Sequence, residues 1–183
     1  MRIAICEYGA GNVRSVELAF ERLGATVVDD VGDADLAVLP GVGAARAATA
    51  GLRERGHDES LRARVAAGRP VLGICLGLQL ALEWTDEDGG VEGLGLVPGR
   101  AIRLEGGRVP RMGWAEVDDR GAFYFAHSYA AVTPCATAWS EGVVAELRSG
   151  SFVGCQFHPE KSGNVGAAYL AGVLEEARSL SLA

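Results

Sequence analysis

The chain has 183 residues, enough for one domain with a full hydrophobic core. Its formal net charge is -7 and it carries no dense basic block, which excludes nucleic acid as an expected partner. Apolar residues make up 49 %, yet no apolar run reaches the length of a membrane span, and no signal-peptide pattern opens the chain.

The four cysteines, at positions 6, 75, 135 and 155, are far apart and form no Cys-x-x-Cys pair. A disulfide framework or a zinc knuckle is therefore not expected, and a reducing, cytoplasmic setting fits. Residues 2–6 read as a buried strand and Glu7 to Asn12 as a Gly-rich turn. Asn12 is expected to cap a helix reaching about Leu23, with Val13, Val16, Ala19, Phe20 and Leu23 on one face and Gly24 as its stop. Residues 25–28 and 35–39 read as further strands, the second ended by Pro40. Residues 44–67 read as helical with a break near Gly56. A short apolar strand then starts after Pro70 and passes into an apolar stretch with helical spacing that runs to Trp84. This alternation of strand and helix predicts a parallel α/β sheet.

The second half changes character. Glycines and short alternating runs at residues 101–104, 122–125, 143–147 and 152–157 predict an antiparallel or mixed extension of that sheet. A last amphipathic helix is expected over residues 165–178, with Ala168, Leu170, Val173 and Leu174 on its apolar side and a fraying tail after it. The expected fold is thus a single α/β domain over residues 1–183. Its central, mostly parallel sheet is flanked by helices and extended by antiparallel strands in the second half.

Chemistry collects around Gly73-Ile74-Cys75-Leu76-Gly77. Small residues on both sides of a strand-to-helix turn are the mark of a nucleophile elbow, here with cysteine as the nucleophile. The thiol would stand exposed at a helix N-terminus, where the dipole favours thiolate. Taken alone, Cys75 fits a buried structural cysteine equally well. His158 and Glu160, two apart in extended backbone after an apolar strand, project to one side and can serve as a base and its orienting group. Pro40-Gly41-Val42-Gly43 follows another strand end; it reads as a simple turn or as a source of oxyanion-binding N–H groups. Tyr124 to Tyr129 reads as an aromatic core strand, and His127 is the weaker catalytic candidate because His158 has the better partner.

Gly-Ile-Cys-Leu-Gly-x-Gln with Gln-Phe-His-Pro-Glu resembles the class I (triad) glutamine amidotransferases. Tyr8-Gly9-Ala10-Gly11-Asn12, Leu39-Pro40-Gly41-Val42-Gly43, Met112-Gly113-Trp114, His127-Ser128-Tyr129 and the Lys161-Ser162 extension resemble, within that class, the glutaminase subunits of imidazole glycerol phosphate synthase. The resemblance implies Cys75 as nucleophile, His158 as general base and acid, and Glu160 as its orienter. It implies the Val42 and Leu76 N–H groups as the oxyanion hole, and Gly43, Gln79, Ser128 and Tyr129 beside bound L-glutamine. Asn12, Trp114 and Lys161 would face a cyclase subunit in a heterodimer. No metal or organic cofactor is implied. The pattern departs from the family at Glu7, Arg111 and Ala115, where Asp, His and Asn are usual, which bears on local interface contacts. Other synthases with the same triad (pyridoxal phosphate or aminodeoxychorismate), a thiol peptidase and a non-catalytic binding subunit remain alternatives at this level.

Overall fold

The computed structural model describes residues 1–9, 13–41 and 43–181, without the Ser181 side chain. Five strands lie parallel at its centre: β1 (Arg2–Ile5), β2 (Thr26–Val28), β3 (Leu36–Leu39), β4 (Val71–Ile74) and β13 (Phe152–Cys155). The antiparallel β12 (Val143–Ser149) and β11 (Ala136–Ser140) continue the sheet beyond β13, giving the order β11-β12-β13-β4-β3-β1-β2. Strands β3 and β4 are buried at every position. That is why they read as continuous apolar runs without alternation: a parallel sheet is covered on both faces.

The two faces bury different side chains of the same strands. Ile3, Ile5, Leu36, Val38, Leu72 and Ile74 pack on one side with α1 (Arg14–Arg22) and α5 (Gly163–Ser181). Ala4, Ala37, Leu39 and Val71 pack on the other. There they meet α2 (Ala45–Glu54), α3 (His57–Ala66) and the short α4 (Leu76–Ala81). Gly56, at a φ of 69°, makes the break between α2 and α3 in the left-handed region that glycine tolerates best.

Several expectations need correction. Helix α1 begins after Val13, which carries no side-chain cap, and Asn12 lies outside the described residues. Helix α4 stops at Ala81 rather than reaching Trp84. Leu82 is already extended, and Trp84 lies in β5 (Trp84–Thr85), paired with β6 (Val91–Glu92) and β7 (Arg100–Arg103). The cause is a loop that takes over the helix's last carbonyls: Leu94 N–H donates to Leu80, Leu96 N–H to Ala81 and Gly95 N–H to Leu82, at 2.7–3.0 Å. Apolar spacing alone carries no sign of such a cap.

Only β11 and β12 form the antiparallel extension; β13 joins β4 in parallel. The remaining second-half strands build two smaller sheets among the described residues. β10 (Tyr129–Val132), β7, β5 and β6 make one, and β8 (Arg111–Glu116) with β9 (Ala122–His127) makes a hairpin. In α5 the buried side includes Leu170, Val173, Leu174 and Ala177, while Ala168 faces outward. The helix runs on through the expected tail to Ser181. No described helix is long and apolar enough to cross a membrane.

Candidate active site

The parallel pairing of β4 with β13 sets Ile74 opposite Cys155. The residues that follow each strand therefore emerge together at one sheet end, the usual place for a site in an α/β fold. Cys75 turns from β4 into α4 with φ 50° and ψ -106°, a conformation outside the ordinary regions for a residue with a side chain. Its N–H is held by the Cys155 carbonyl at 2.7 Å.

The neighbouring glycines are required by close approach. A Cβ on Gly73 would stand 2.7 Å from the Phe152 ring and 2.9 Å from the Leu78 nitrogen, and one on Gly77 would stand 2.0 Å from the Leu39 carbonyl oxygen. Gly41 is pressed equally hard against the elbow, its ideal Cβ 2.3 Å from the Ile74 oxygen and 2.6 Å from the Cys75 Cβ. The elbow and the Gly41 turn are thus packed into one unit. The thiol is not exposed as expected: Cys75 is 5 % accessible and opens only onto a cavity.

His158 and Glu160 meet as expected, with Nδ1 and Oε1 2.8 Å apart; His158 is in extended backbone, and Glu160 lies in the 3-10 turn (Pro159–Lys161) that follows it rather than along a strand. Both side chains are nearly inaccessible, at 5 % and 4 %. Burial works against a charged His158, yet hydrogen bonds to Cys75 and Glu160 and the charges of both raise its pKa to about 9. The turn is held to the β8–β9 hairpin by two anchors. His158 N–H donates to the Tyr124 carbonyl at 2.8 Å, and the Ser162 hydroxyl, donating to the His158 carbonyl, accepts from the Tyr124 N–H.

Gly43, Leu76, Gln79, Ser128 and Tyr129 all line the cavity of about 210 Å³ that Cys75 opens onto. That volume lies below the roughly 300–1,000 Å³ of drug-sized sites and suits a small metabolite. Leu76 is the first residue of α4, so its N–H has no acceptor within the helix and is free to meet an anion. Val42 lies outside the described residues; Gly43 beside it has φ 90°. A roomier cleft of about 380 Å³ lies between β7, β10, β11 and β12, but no cysteine or histidine lines it.

One polar group in the cavity, Glu87, was not anticipated, and a second, His127, is the weaker catalytic candidate of the sequence. Glu87 enters from a 3-10 turn after β5, and burial, aided by the charge of Asp88, raises its pKa. The acidic run at residues 86–88 was the only sequence signal for it. His127 ends β9 inside the cavity wall, with Nδ1 2.8 Å from the Tyr129 carbonyl. Burial, Arg111 and His158 lower its pKa to about 4, so it is neutral at pH 7.

The hairpin's outer face exposes Met112 (63 %) and Trp114 (59 %), and Lys161 is exposed on the turn beside it. Arg111 faces the other way. Its guanidinium lies 4.3 Å from the Phe125 ring centre and donates to Ser140 and Glu141, while Ala115 packs against the core on the α1 and α5 side of the sheet. The substitutions at these two positions therefore change the hairpin's inner side, not its exposed face.

The matching family model is that of glutamine amidotransferase class-I, over residues 11–176. An imidazole glycerol phosphate synthase subunit HisH from Exiguobacterium sibiricum is 44 % identical, with 92 % of each chain covered. One of the same name from Methanothermobacter thermautotrophicus is 43 % identical, over 97 % of this chain and all of that one. Among solved structures, a glutamine amidotransferase superposes with a TM-score of 0.76 at 21 % identity, over 96 % of this chain and 98 % of that one. At that identity the superposition speaks for the fold; the family model and the two relatives speak for descent. A cysteine elbow, a buried His–Glu pair and a small polar cavity at one sheet end, matched along almost the whole chain, place it in the class I glutamine amidotransferase family.

Proposed function

We propose that the whole chain is one glutaminase domain, the glutamine-using subunit of an imidazole glycerol phosphate synthase. The observation that carries this is Cys75, in its strained turn, facing both the small cavity and the 2.8 Å His158–Glu160 pair. With its pKa raised to about 9, His158 is an imidazolium at pH 7 beside the Cys75 sulfur, and the reaction starts from the thiolate form of Cys75. The thiolate attacks the side-chain amide carbon of glutamine. The oxyanion is met by the Leu76 N–H and, in this reading, by that of Val42. His158 gives its proton to the leaving ammonia, and the S–C bond remains as a glutamyl thioester. Water then attacks, His158 takes a proton from it, and glutamate leaves with the thiolate restored.

Glu87, as a carboxylate, would meet the α-ammonium of glutamine, while Ser128 and Tyr129 would hold its polar end. Trp114 and Lys161 would lie toward a cyclase subunit, with Asn12. That subunit would take the ammonia before it reaches water, where it would become ammonium and lose its nucleophilicity. A cytoplasmic site of action belongs to the same reading, supported by four cysteines that are all unpaired. The identity of 40 % or more to relatives carrying one synthase name weighs against the other synthases, a peptidase or an inert subunit. The test is glutamate release with and without a purified cyclase subunit and its ribotide ligand. Stimulation by that pair and not by other synthases is expected; release indifferent to it would overturn the assignment.

A further inference from the structure

We propose that Gln156 acts directly on the nucleophile, its side-chain amide holding the Cys75 sulfur and favouring its ionised form. Gln156 is completely buried. A buried amide must satisfy both of its ends, and here each end has a partner. Its Nε2 lies 3.5 Å from the Cys75 Sγ, and its Oε1 accepts from the Gln79 Nε2 at 3.1 Å.

The direction of this chain is fixed from its far end. Gln79 Nε2 also donates to the Tyr129 backbone carbonyl at 2.8 Å. A carbonyl can only accept, so that end of Gln79 must be nitrogen. The same nitrogen faces Gln156, which must therefore present oxygen to it and nitrogen to the sulfur. His127 Nδ1 meets the same Tyr129 carbonyl at 2.8 Å and steadies the start of the chain.

A donor to sulfur binds thiolate more strongly than thiol, because a hydrogen bond to a charged acceptor is roughly twice as strong as a neutral one. The Ala126 carbonyl, 3.8 Å from Sγ on β9, has the opposite preference, since it can only accept the S–H. The titratable groups around the sulfur are His158 and Glu160 after β13, His127 on β9, Tyr129 on β10, Glu87 before β6 and Cys155 on β13. Gln156 differs from all of them in carrying no proton equilibrium, so its effect is the same at every pH.

Two variants separate this role from packing. Gln156→Glu keeps an oxygen for Gln79 but turns the sulfur-facing donor into an acceptor. Gln156→Met keeps length and volume without any donor. The readout is the pH dependence of Cys75 alkylation by iodoacetamide in the full chain, followed by mass spectrometry of the Cys75 peptide. The midpoint should rise by about one pH unit in Gln156→Met, a tenfold change in thiolate population. It should rise further in Gln156→Glu, with the plateau rate at high pH retained in both. An unmoved midpoint in Gln156→Met overturns the proposal, whether or not Gln156→Glu folds. The inference rests on the proposed function only in naming Cys75 as nucleophile. Alkylation needs no glutamine, so its failure is distinguishable from a failure of the glutaminase assay.

Discussion

Two regions of the chain each bring a buried histidine to Cys75: the turn after β13 brings His158, and the end of β9 brings His127. Both are about 5 % accessible, and in both burial disfavours the charged form. Their protonation nevertheless diverges, one raised to about 9 and the other lowered to about 4. Burial cannot explain the difference. His158 has a carboxylate and a thiol as neighbours, whereas His127 has a backbone carbonyl and two cations, Arg111 and His158 itself. A histidine's task is set by what it touches rather than by how deep it lies. The β13 histidine is equipped to move protons; the β9 histidine is equipped to stay neutral and hold a carbonyl.

The comparison breaks most sharply in steady-state kinetics. His158→Ala is expected to lower kcat by roughly 10⁶, the scale seen when a triad base is lost. Glu160→Gln should cost less, roughly 10⁴-fold, because the base remains while its charge partner and tautomer control are weakened. The opposite order would exchange the two roles. His127→Asn should change kcat by less than about tenfold, since the asparagine amide can still donate toward the Tyr129 carbonyl and a single neutral hydrogen bond contributes about 1 kcal/mol. A loss matching that of His158→Ala would make His127 a proton carrier.

The smallest expected effect is on stability, and its sign differs between the two. For His127 the folded pKa lies below the ordinary 6.5, so between pH 6.5 and about 4 the unfolded chain binds the proton and the folded chain does not. Its contribution falls as pH drops through that window. For His158 the folded pKa lies above 6.5, so its contribution is full below pH 6.5 and fades as pH rises through about 9. Urea midpoints against pH for the wild type, His127→Asn and His158→Asn should show these opposite slopes. Parallel slopes would mean that the two environments are alike.

The two regions also differ in how much of them could be read from the sequence. The β4 elbow was legible because its demands are local: a strained turn and close backbone approach need Gly73 and Gly77 within two residues of Cys75. His158 and Glu160 are likewise close in sequence, and their pairing needed no knowledge of the rest of the fold. The Cys75 thiol, in contrast, was expected to be exposed, and it is covered because β9 closes over it. Glu87, Gln156 and Ser162 reach the site by contacts with residues 38 or more positions away, or by lining a cavity wall built by distant turns. The hairpin's inner side was misjudged for the same reason. Arg111 looked like a change at an interface, and only the strand register shows it turned inward onto Phe125.

In the proposed reaction Cys75 becomes covalently attached to the substrate while His158 serves both proton transfers. The most direct measurement is acid-quench mass spectrometry of the chain turning over glutamine in complex with its cyclase subunit. A glutamyl adduct is expected on the Cys75 peptide during turnover, decaying once glutamine is exhausted and missing in Cys75→Ala. Turnover at a normal rate with Cys75 unmodified, or an adduct mapped to another cysteine, would contradict it.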